Sequence, residues 1–419
     1  MVEGEPLTRD CDRRTGANRR RVGKRIVAFG KFAEFSNRRF LIRALSLAMR
    51  RRRSTPAWSA RPHDVLFLRP DRVGDMIVST GLLRAIATSH PTIRLHVLAT
   101  PANAGVLEHN PHVASVVVLH RPKRPWSWVS FVRTARRARY DAVIDCKVIS
   151  PSLTLLLLML ASGARERIGV GGRANDAVYS VPVPAADLHA HNIEQLGALA
   201  AAFGVDVATF DWRPEIFVHA AERDAAERLW RLAEGEVNAV DRGALRLLVN
   251  VSAGKARCCW PPERYIAVLR AALARRPALR VLVIGVARDG DALRRIADAT
   301  GCATARPALR DTFALVESAD LLLTPDTGLV HAASAFRTPV VTMCPRGVGG
   351  YWGPYRTLSR TVSSGERTLD ALPAAPVVAA LDELLATIAD GAPSSADGRS
   401  APPTGGEAGG PNGRTSVAS

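Results

Sequence analysis

The chain has 419 residues, 47% of them hydrophobic, and a net charge of +18, which excludes a small disulfide-held scaffold and leaves room for two or three globular domains. The charge is concentrated: residues 1–60 carry 16 Arg or Lys against 5 Asp or Glu, a net of +11. A basic balance of this kind points to nucleic acid, an anionic membrane surface or an acidic ligand, and the question falls mainly on this first stretch.

Residues 1–60 read as a basic N-terminal extension. Within it, residues 31–53 have a helical pattern, with Phe32, Phe35, Phe40, Leu41, Ile42, Leu45, Leu47 and Met49 in a broad apolar sector and Arg38, Arg39, Arg43 and Arg50 to Arg53 around it. Two readings fit. One is a helix lying in the interface of an anionic membrane; the other is a helix packed on the protein's own surface or a solvated arm. Folded sequence is expected from about Asp64. "DVLFLRP" is a strand, followed by the loop "DRVGDMIVST" and the helix "GLLRAIATSHP". "IRLHVLAT" and "VASVVVLH" are strands, "FVRTARRARY" a helix, "DAVIDCK" a strand, "SLTLLLLMLASGA" a buried helix and "RIGV" a short strand. A helix over 191–205 closes this half. Apolar strands alternating with helices predict a parallel sheet covered on both faces.

The pattern pauses over 206–243, where acidic and basic residues mix without strand signals, and then resumes. "LRLLVNVSAG", "LRVLVIG", "DLLLTPD" and "TPVVTMC" are strands, and "PERYIAVLRAALARRP", "DALRRIADAT", the segment after Gly328 and "AAPVVAALDELLATIA" are helices. The expected architecture is α/β, with two Rossmann-like doubly wound domains, 61–215 and 216–390, facing a cleft. A tail at 391–419 is too poor in apolar residues to order. Ligands in open parallel sheets sit beyond the carboxyl ends of the strands, which places the active cleft between the halves.

The six cysteines, Cys11, Cys146, Cys258, Cys259, Cys302 and Cys344, form no C-x-x-C and no paired spacing, an argument for a reducing compartment and against a zinc site. No secretory signal pattern opens the sequence, and the apolar run at 153–164 falls short of the roughly 20 residues that span a bilayer. The expected location is the cytoplasm, with the basic arm offering a peripheral attachment to the inner face of the membrane.

Two loops carry candidate chemistry. In "RPDRVGDMIVSTGLLRAI" (69–86), Gly74 permits a tight turn and Asp75 stands at the exit of the first strand. A carboxylate there can accept a proton from a sugar hydroxyl, or can serve only as a helix cap. In "TPDTGLVH" (324–331), a strand ends in a Gly-containing turn and feeds a helix. The free amides of a helix N-terminus hold anions, while the plain reading is a helix capped by Asp326 or Thr327. His331 lies four residues after Thr327, so both can project from one helix face.

Together these loops resemble those of the family-9 glycosyltransferases, the ADP-heptose:lipopolysaccharide heptosyltransferases and their relatives. The resemblance rests on R-x-D-x-x-G-D at 69–75 with the following "STGLLRAI", and on "PDTGLVHAASAFRTPVV" at 325–341. "RIGV", "HNIEQLGALAAAFGV" and "NVSAGKARCCWPPERYIAVL" (250–269) add support in the family's order, over about residues 64–385. It implies a GT-B fold and inverting transfer from a nucleotide-diphosphate sugar to a glycolipid or other envelope glycan, without a metal or other cofactor. By the same carry-over Asp75 is the general base, Arg69 and Gly74 belong to the acceptor-side loop, and Asp326, Thr327, Gly328 and His331 form the donor end. The lysine that commonly precedes Trp-Pro is replaced by Cys258, leaving Lys255 or Arg257 to supply the charge, and Asp289 matches the acidic residue that contacts the nucleotide ribose. The Gly-Pro-Thr after the last core strand is replaced by "CPRGVGGYWGPY", with Arg346. The alternative is a non-catalytic nucleotide-sugar-binding or scaffolding protein on the same fold. A nucleic-acid partner is not expected, since no DNA- or RNA-binding motif or stacking-aromatic pattern is present.

Overall fold

The computed structural model describes residues 37–59, 61–120, 125–233, 244–347 and 350–391. They build two wholly parallel six-stranded sheets. The first contains β1 (His63–Leu68), β2 (Ile93–Ala99), β3 (Ser115–Val118), β4 (Ala142–Asp145), β5 (Glu166–Val170) and β6 (Val181–Val183), in the spatial order β3-β2-β1-β4-β5-β6. The second contains β7 (Arg246–Asn250), β8 (Arg280–Ile284), β9 (Ala303–Ala305), β10 (Leu321–Pro325), β11 (Val340–Cys344) and β12 (Ser359–Ser363), in the order β12-β11-β10-β7-β8-β9. Each sheet therefore repeats the doubly wound order, and the direction of winding reverses between β1 and β4 and between β7 and β10. A crevice opens at such a reversal, where neighbouring connections leave to opposite faces.

The central strands are buried on both faces, as their unbroken apolar runs require: every residue of β10 and β11 is buried. The helix α3 (Thr80–Ser89) covers the first sheet through Leu82, Leu83 and Ile86. The leucine-rich run forms α5 (Leu153–Ser162), capped by the Ser152 hydroxyl and stopped by Gly163 at a φ of 72°, a left-handed conformation open to glycine at no steric cost. It buries Leu155, Leu156, Leu158 and Met159, so it is a core helix and not a membrane span. The second sheet is covered by α8 (Pro262–Arg275), α9 (Gly290–Thr300), α10 (Leu309–Ser318) and α12 (Ala374–Ala389).

Three features depart from the sequence reading. The stretch 206–243, where the strand–helix pattern of the sequence pauses, contains α7 (Ala220–Leu232), which buries Ala226 and Trp230 and ties to α10 through Trp230 Nε1 donating to Ser318 Oγ at 2.9 Å. Strands β6, β9 and β12 are short and half-exposed or at sheet edges, without the apolar run that marks the others. Packing also begins well before Asp64. A helix over residues 37–48, α1, buries Ile42 and Ser46 against the first domain, and Trp58 joins the same core. The segment between is strapped down by Ser54 N–H to Ser180 O at 2.9 Å, by Arg167 Nη1 to Met49 O at 3.2 Å and by Trp58 Nε1 to Ala202 O at 2.7 Å. Phe40, Leu41, Leu47 and Met49 remain exposed on the outer side of α1. Phe32 and Phe35 and most of the 391–419 tail lie outside the described residues.

Candidate active site

The two candidate loops meet face to face. The chain leaves β1, turns through Arg69 to Arg72 and enters the short helix α2 (Val73–Ile77); in the other domain it leaves β10, turns at Asp326 and enters α11 (Gly328–Phe336). The N-terminal turns of α2 and α11 touch through glycine. A Cβ on Gly74 would lie 3.1 Å from Gly328 Cα and 3.1 Å from His331 Cδ2, and a Cβ on Gly328 would lie 3.0 Å from the Gly74 nitrogen. Gly328 therefore makes a close backbone approach to Gly74, across the cleft between the domains.

Asp75 occupies the first turn of α2, where its Oδ2 accepts the Arg72 N–H at 3.3 Å. Beneath it lies Arg69, only 2% exposed. The Arg69 Nε donates to the Asp75 carbonyl at 2.8 Å, while its Nη2 and Nη1 lie 3.6 Å from Asp75 Oδ1 and 3.5 Å from Asp71 Oδ2. Burial works against the charge on Arg69, but its anionic surroundings outweigh burial and hold its pKa above the ordinary value. Arg69 is thus a support for the loop and not a free ligand. Asp71 in turn receives Lys147 Nζ at 2.9 and 3.0 Å from the end of the adjoining strand β4. The neighbouring Asp145 is 1% exposed and accepts from Tyr179 Oη at 2.8 Å, from the Lys147 N–H at 2.9 Å and from Asn175 Nδ2 at 3.3 Å. Burial pushes its carboxyl pKa upward. Asp71 entered the sequence reading only as a position of the R-x-D-x-x-G-D motif, and Lys147 and Asp145 were given no role there; the available signal was an Asp-Cys-Lys run at the end of a strand beside the reversal point.

Across the cleft, Thr327 is the cap of α11: its Oγ1 accepts the Leu329 N–H at 3.3 Å and lies 3.2 Å from Thr324 Oγ1. Burial raises the pKa of Asp326, against the pull of Lys255 and Arg257 from its own domain and Arg72 from the other. Lys255 and Arg257 are exposed on the single turn Ala256–Cys258, whereas Cys258, at the position of the absent lysine, is 1% exposed and its thiol is pushed up by burial. The positive charge near Asp326 therefore comes from the flanking residues. Asp289 stands past the end of β8, its Oδ2 accepting the Ser252 hydroxyl at 2.5 Å and the Val286 N–H at 2.9 Å, with Arg288 Nε 3.7 Å from Oδ1. Half its acceptor capacity is thus committed to its own loop.

His331 is enclosed. It is 4% exposed, lies under Gly74 and packs against Trp352 with ring centroids 6.0 Å apart. Its Nδ1 has no hydrogen-bond partner among the described residues. Burial, with His191 nearby, pulls its pKa down to about 3. The Gly-rich segment that supplies Trp352 is a strap between domains, joined to α6 (Asn192–Gly197) and its flank: the Tyr351 carbonyl accepts the Asn192 N–H at 2.9 Å, the Gly353 carbonyl accepts from His191 Nε2 at 3.0 Å, and Tyr355 Oη donates to Glu194 Oε1 at 3.0 Å. Arg346 is exposed at its start, and positions 348 and 349 lie outside the described residues. Among the described residues, the carboxylate–imidazole grouping Glu108, His109 and Glu222 stands apart from these loops, and Arg310 already pairs with Glu222 at 2.7 Å.

The arrangement sets a partly exposed carboxylate on one domain against a helix N-terminus flanked by cations on the other. Comparison with known proteins gives a consistent family. The family model described as Glycosyltransferase family 9 (heptosyltransferase) matches residues 128–372. Lipopolysaccharide heptosyltransferase 3 of Escherichia coli is 21% identical over 361 residues, covering 78% of this chain and 98% of that protein. A solved glycosyl transferase family 9 structure from Veillonella parvula aligns with a TM-score of 0.67 at 16% identity, over 78% of this chain and 99% of its own. The structure of E. coli ADP-heptose lps heptosyltransferase II aligns with a TM-score of 0.61 at 19% identity, over 78% and 99%.

Proposed function

Since the chain belongs to glycosyltransferase family 9 and is a glycosyltransferase, we propose that it transfers a sugar, a heptose by analogy with its relatives, from a nucleotide-diphosphate sugar to a lipopolysaccharide-type or related envelope glycan, with inversion at the anomeric carbon. In this reading Asp75 takes the proton from the acceptor hydroxyl, whose oxygen forms the new bond to the anomeric carbon as the bond to the diphosphate breaks. The departing diphosphate carries the negative charge to the N-terminus of α11, with Lys255 and Arg257 alongside. Those cations and amides make a metal unnecessary in this reading. Asp326, Thr327 and Gly328 shape the turn that presents the amides, His331 supports it from below, and Asp289 offers its less committed oxygen to the nucleotide.

The observation that carries the reading is the placement of Asp75 and the α11 N-terminus on opposite sides of one Gly74–Gly328 contact. The acceptor base and the leaving-group site then converge on the space beside that contact, as a single in-line displacement requires. Among the described residues no helix is long and apolar enough to cross a membrane. We place the enzyme at the inner face of the cytoplasmic membrane, held by the exposed Phe40, Leu41, Leu47 and Met49 with Arg43 of α1 beside them. The direct test is a thermal-shift panel of nucleotide sugars, ADP-heptose included. A ligand at 100 times its Kd stabilises by about 2.7 kcal/mol, and a panel in which no nucleotide sugar shifts the melting temperature would remove the donor assignment.

A further inference from the structure

Beyond the carboxyl ends of β4 and β5 lies a cavity of about 570 Å³ that neither Asp75 nor the α11 turn enters. Its walls come from three places: Arg38, Arg39 and Ile42 of α1, Lys147 and its successors after β4, and Arg173 after β5. The lining holds four cationic side chains and no carboxylate. It also includes Ser152, the cap of α5, so a helix N-terminus opens onto the same space. The position of Arg38 and Arg39 is set by packing, since Ile42 at 2% exposure and Ser46 at 0% seat α1 on the domain. Helix α1 precedes the matched family region, which begins at residue 128.

We propose that this cavity is an anion subsite, made by α1 together with the β4 and β5 loops, that binds a phosphate or carboxylate carried on a sugar of the acceptor. Charge and shape support this class of ligand. Guanidinium groups bind phosphate and carboxylate by charge-assisted, often bidentate hydrogen bonds, and Ile42 and Ile149 supply apolar wall for a sugar ring. Location ties the cavity to the chemistry. Lys147 both lines it and contacts Asp71 at 2.9 Å; Asp71 lies 3.5 Å from Arg69, and Arg69 lies 3.6 Å from Asp75. An anion held here sits within a short oligosaccharide's reach of the base, so α1 selects acceptors by charge. The proposal rests on the glycosyl-transfer reading for the word acceptor, though not for the anion site itself.

The experiment titrates the full-length protein calorimetrically with glucose 6-phosphate, with glucose as the uncharged control. Saturable binding of the phosphate sugar is expected, weakening at high salt. The triple variant Arg38→Gln/Arg39→Gln/Arg173→Gln should weaken it about tenfold or more, with nucleotide-sugar binding and melting temperature unchanged. The donor-loop variant Lys255→Gln/Arg257→Gln should leave glucose 6-phosphate binding intact. If the donor-loop variant abolishes binding and the triple variant does not, the anion sits in the donor cleft and the proposal is overturned; equal binding of glucose and glucose 6-phosphate overturns it as well. Loss of phosphatidic-acid vesicle binding in the triple variant, with no glucose 6-phosphate binding to the wild type, would assign the cations to lipid and also overturn it. Failure of the donor reading appears separately, as no nucleotide-sugar binding to either protein while the phosphate-sugar result stands.

Discussion

Acidification should remove stability through a buried histidine, starting above the range in which the ion-paired surface carboxylates titrate. His331 is held at a pKa of about 3 by burial, against an ordinary value of 6.5. A group whose pKa is lowered on folding gives stability that is complete above the unfolded value and is lost as pH falls towards the folded one. Each unit is worth about 1.4 kcal/mol, so at pH 5 the neutral ring has forfeited about 2 kcal/mol, and near pH 3 about 5 kcal/mol. His191 acts in the same direction, since burial also lowers its pKa. It donates from Nε2 to Gly353 O at 3.0 Å, and its Nδ1 accepts the Ile193 N–H at 3.2 Å, a bond that protonation of Nδ1 would break. Asp64, Asp141, Glu215 and Glu222 have lowered pKa values and lose their contributions only below the ordinary carboxylate range. Asp326 and Asp145, with raised values, oppose the histidines as pH falls. From about pH 6.5 downwards the two histidines therefore work against Asp326 and Asp145, and the part carried by His331 is read as the difference between wild type and a variant that lacks the imidazole.

The assay is guanidinium unfolding of wild type and His331→Leu at pH 7, 6 and 5. Between pH 7 and 5 wild type should lose about 2 kcal/mol more than the variant does. His331 and His191 both stand at contacts between the domains, so the loss should appear first in probes of the interface, such as Trp352 fluorescence. A variant with the same slope as wild type would refute the assignment of acid sensitivity to His331.

Other outcomes can be checked independently. Asp75→Asn should lower transfer by about 10²- to 10⁴-fold, leave nucleotide-sugar affinity unaltered and reduce the melting temperature slightly, because Asp75 is one of two carboxylates flanking the buried Arg69; wild-type turnover in the purified variant would disprove the base assignment. Gly328→Ala places a Cβ 3.0 Å from the Gly74 nitrogen, which the two turns can accept only by shifting a few tenths of an ångström, so it should lower the melting temperature and slow transfer, and full activity at an unchanged melting temperature would show that the contact is dispensable. Phe40→Ser/Leu47→Ser removes exposed apolar surface from α1 and should reduce co-sedimentation with anionic vesicles without changing transfer to a soluble acceptor; equal sedimentation would detach α1 from the membrane. Truncation of the whole basic stretch is a poorer test, since it would also empty the core seats of Ile42 and Trp58.

Much of the architecture was legible because parallel strands covered on both faces must be continuous apolar runs, as β1, β7, β8, β10 and β11 are. What escaped has a common physical cause. Helix α7 buries only Ala226 and Trp230 of its thirteen residues, so its charged surface outweighs its short apolar seam in any periodicity. Strands β9 and β12 gain their identity from the neighbour they pair with and not from side-chain burial. In the site, Asp75 and Asp326 could be read because each follows a strand at a turn with glycine. Lys147 and Asp145 could not, because a charged residue after a strand has value only when a partner such as Asp71 or Tyr179 arrives from a distant part of the chain.

The two glycines show how a local signal can be right about its residue and incomplete about its reason. Gly disfavours helix by about 1 kcal/mol relative to Ala, yet Gly328 is the first residue of α11 and Gly74 the second of α2. An anion alone accounts for Gly328, since bare backbone at a helix start lets a diphosphate approach the amides. It does not account for Gly74 in the other domain. The contact accounts for both, because a Cβ on either turn would lie only 3.0–3.1 Å from the facing backbone, tighter than side chains ordinarily pack. Beside the contact the Leu329 amide is taken by the Thr327 hydroxyl, and Asp75 stands one residue beyond Gly74. In the glycosyl-transfer reading, a Cβ at either glycine should weaken this contact and slow transfer together, and a variant that loosens the contact at full activity would separate the two.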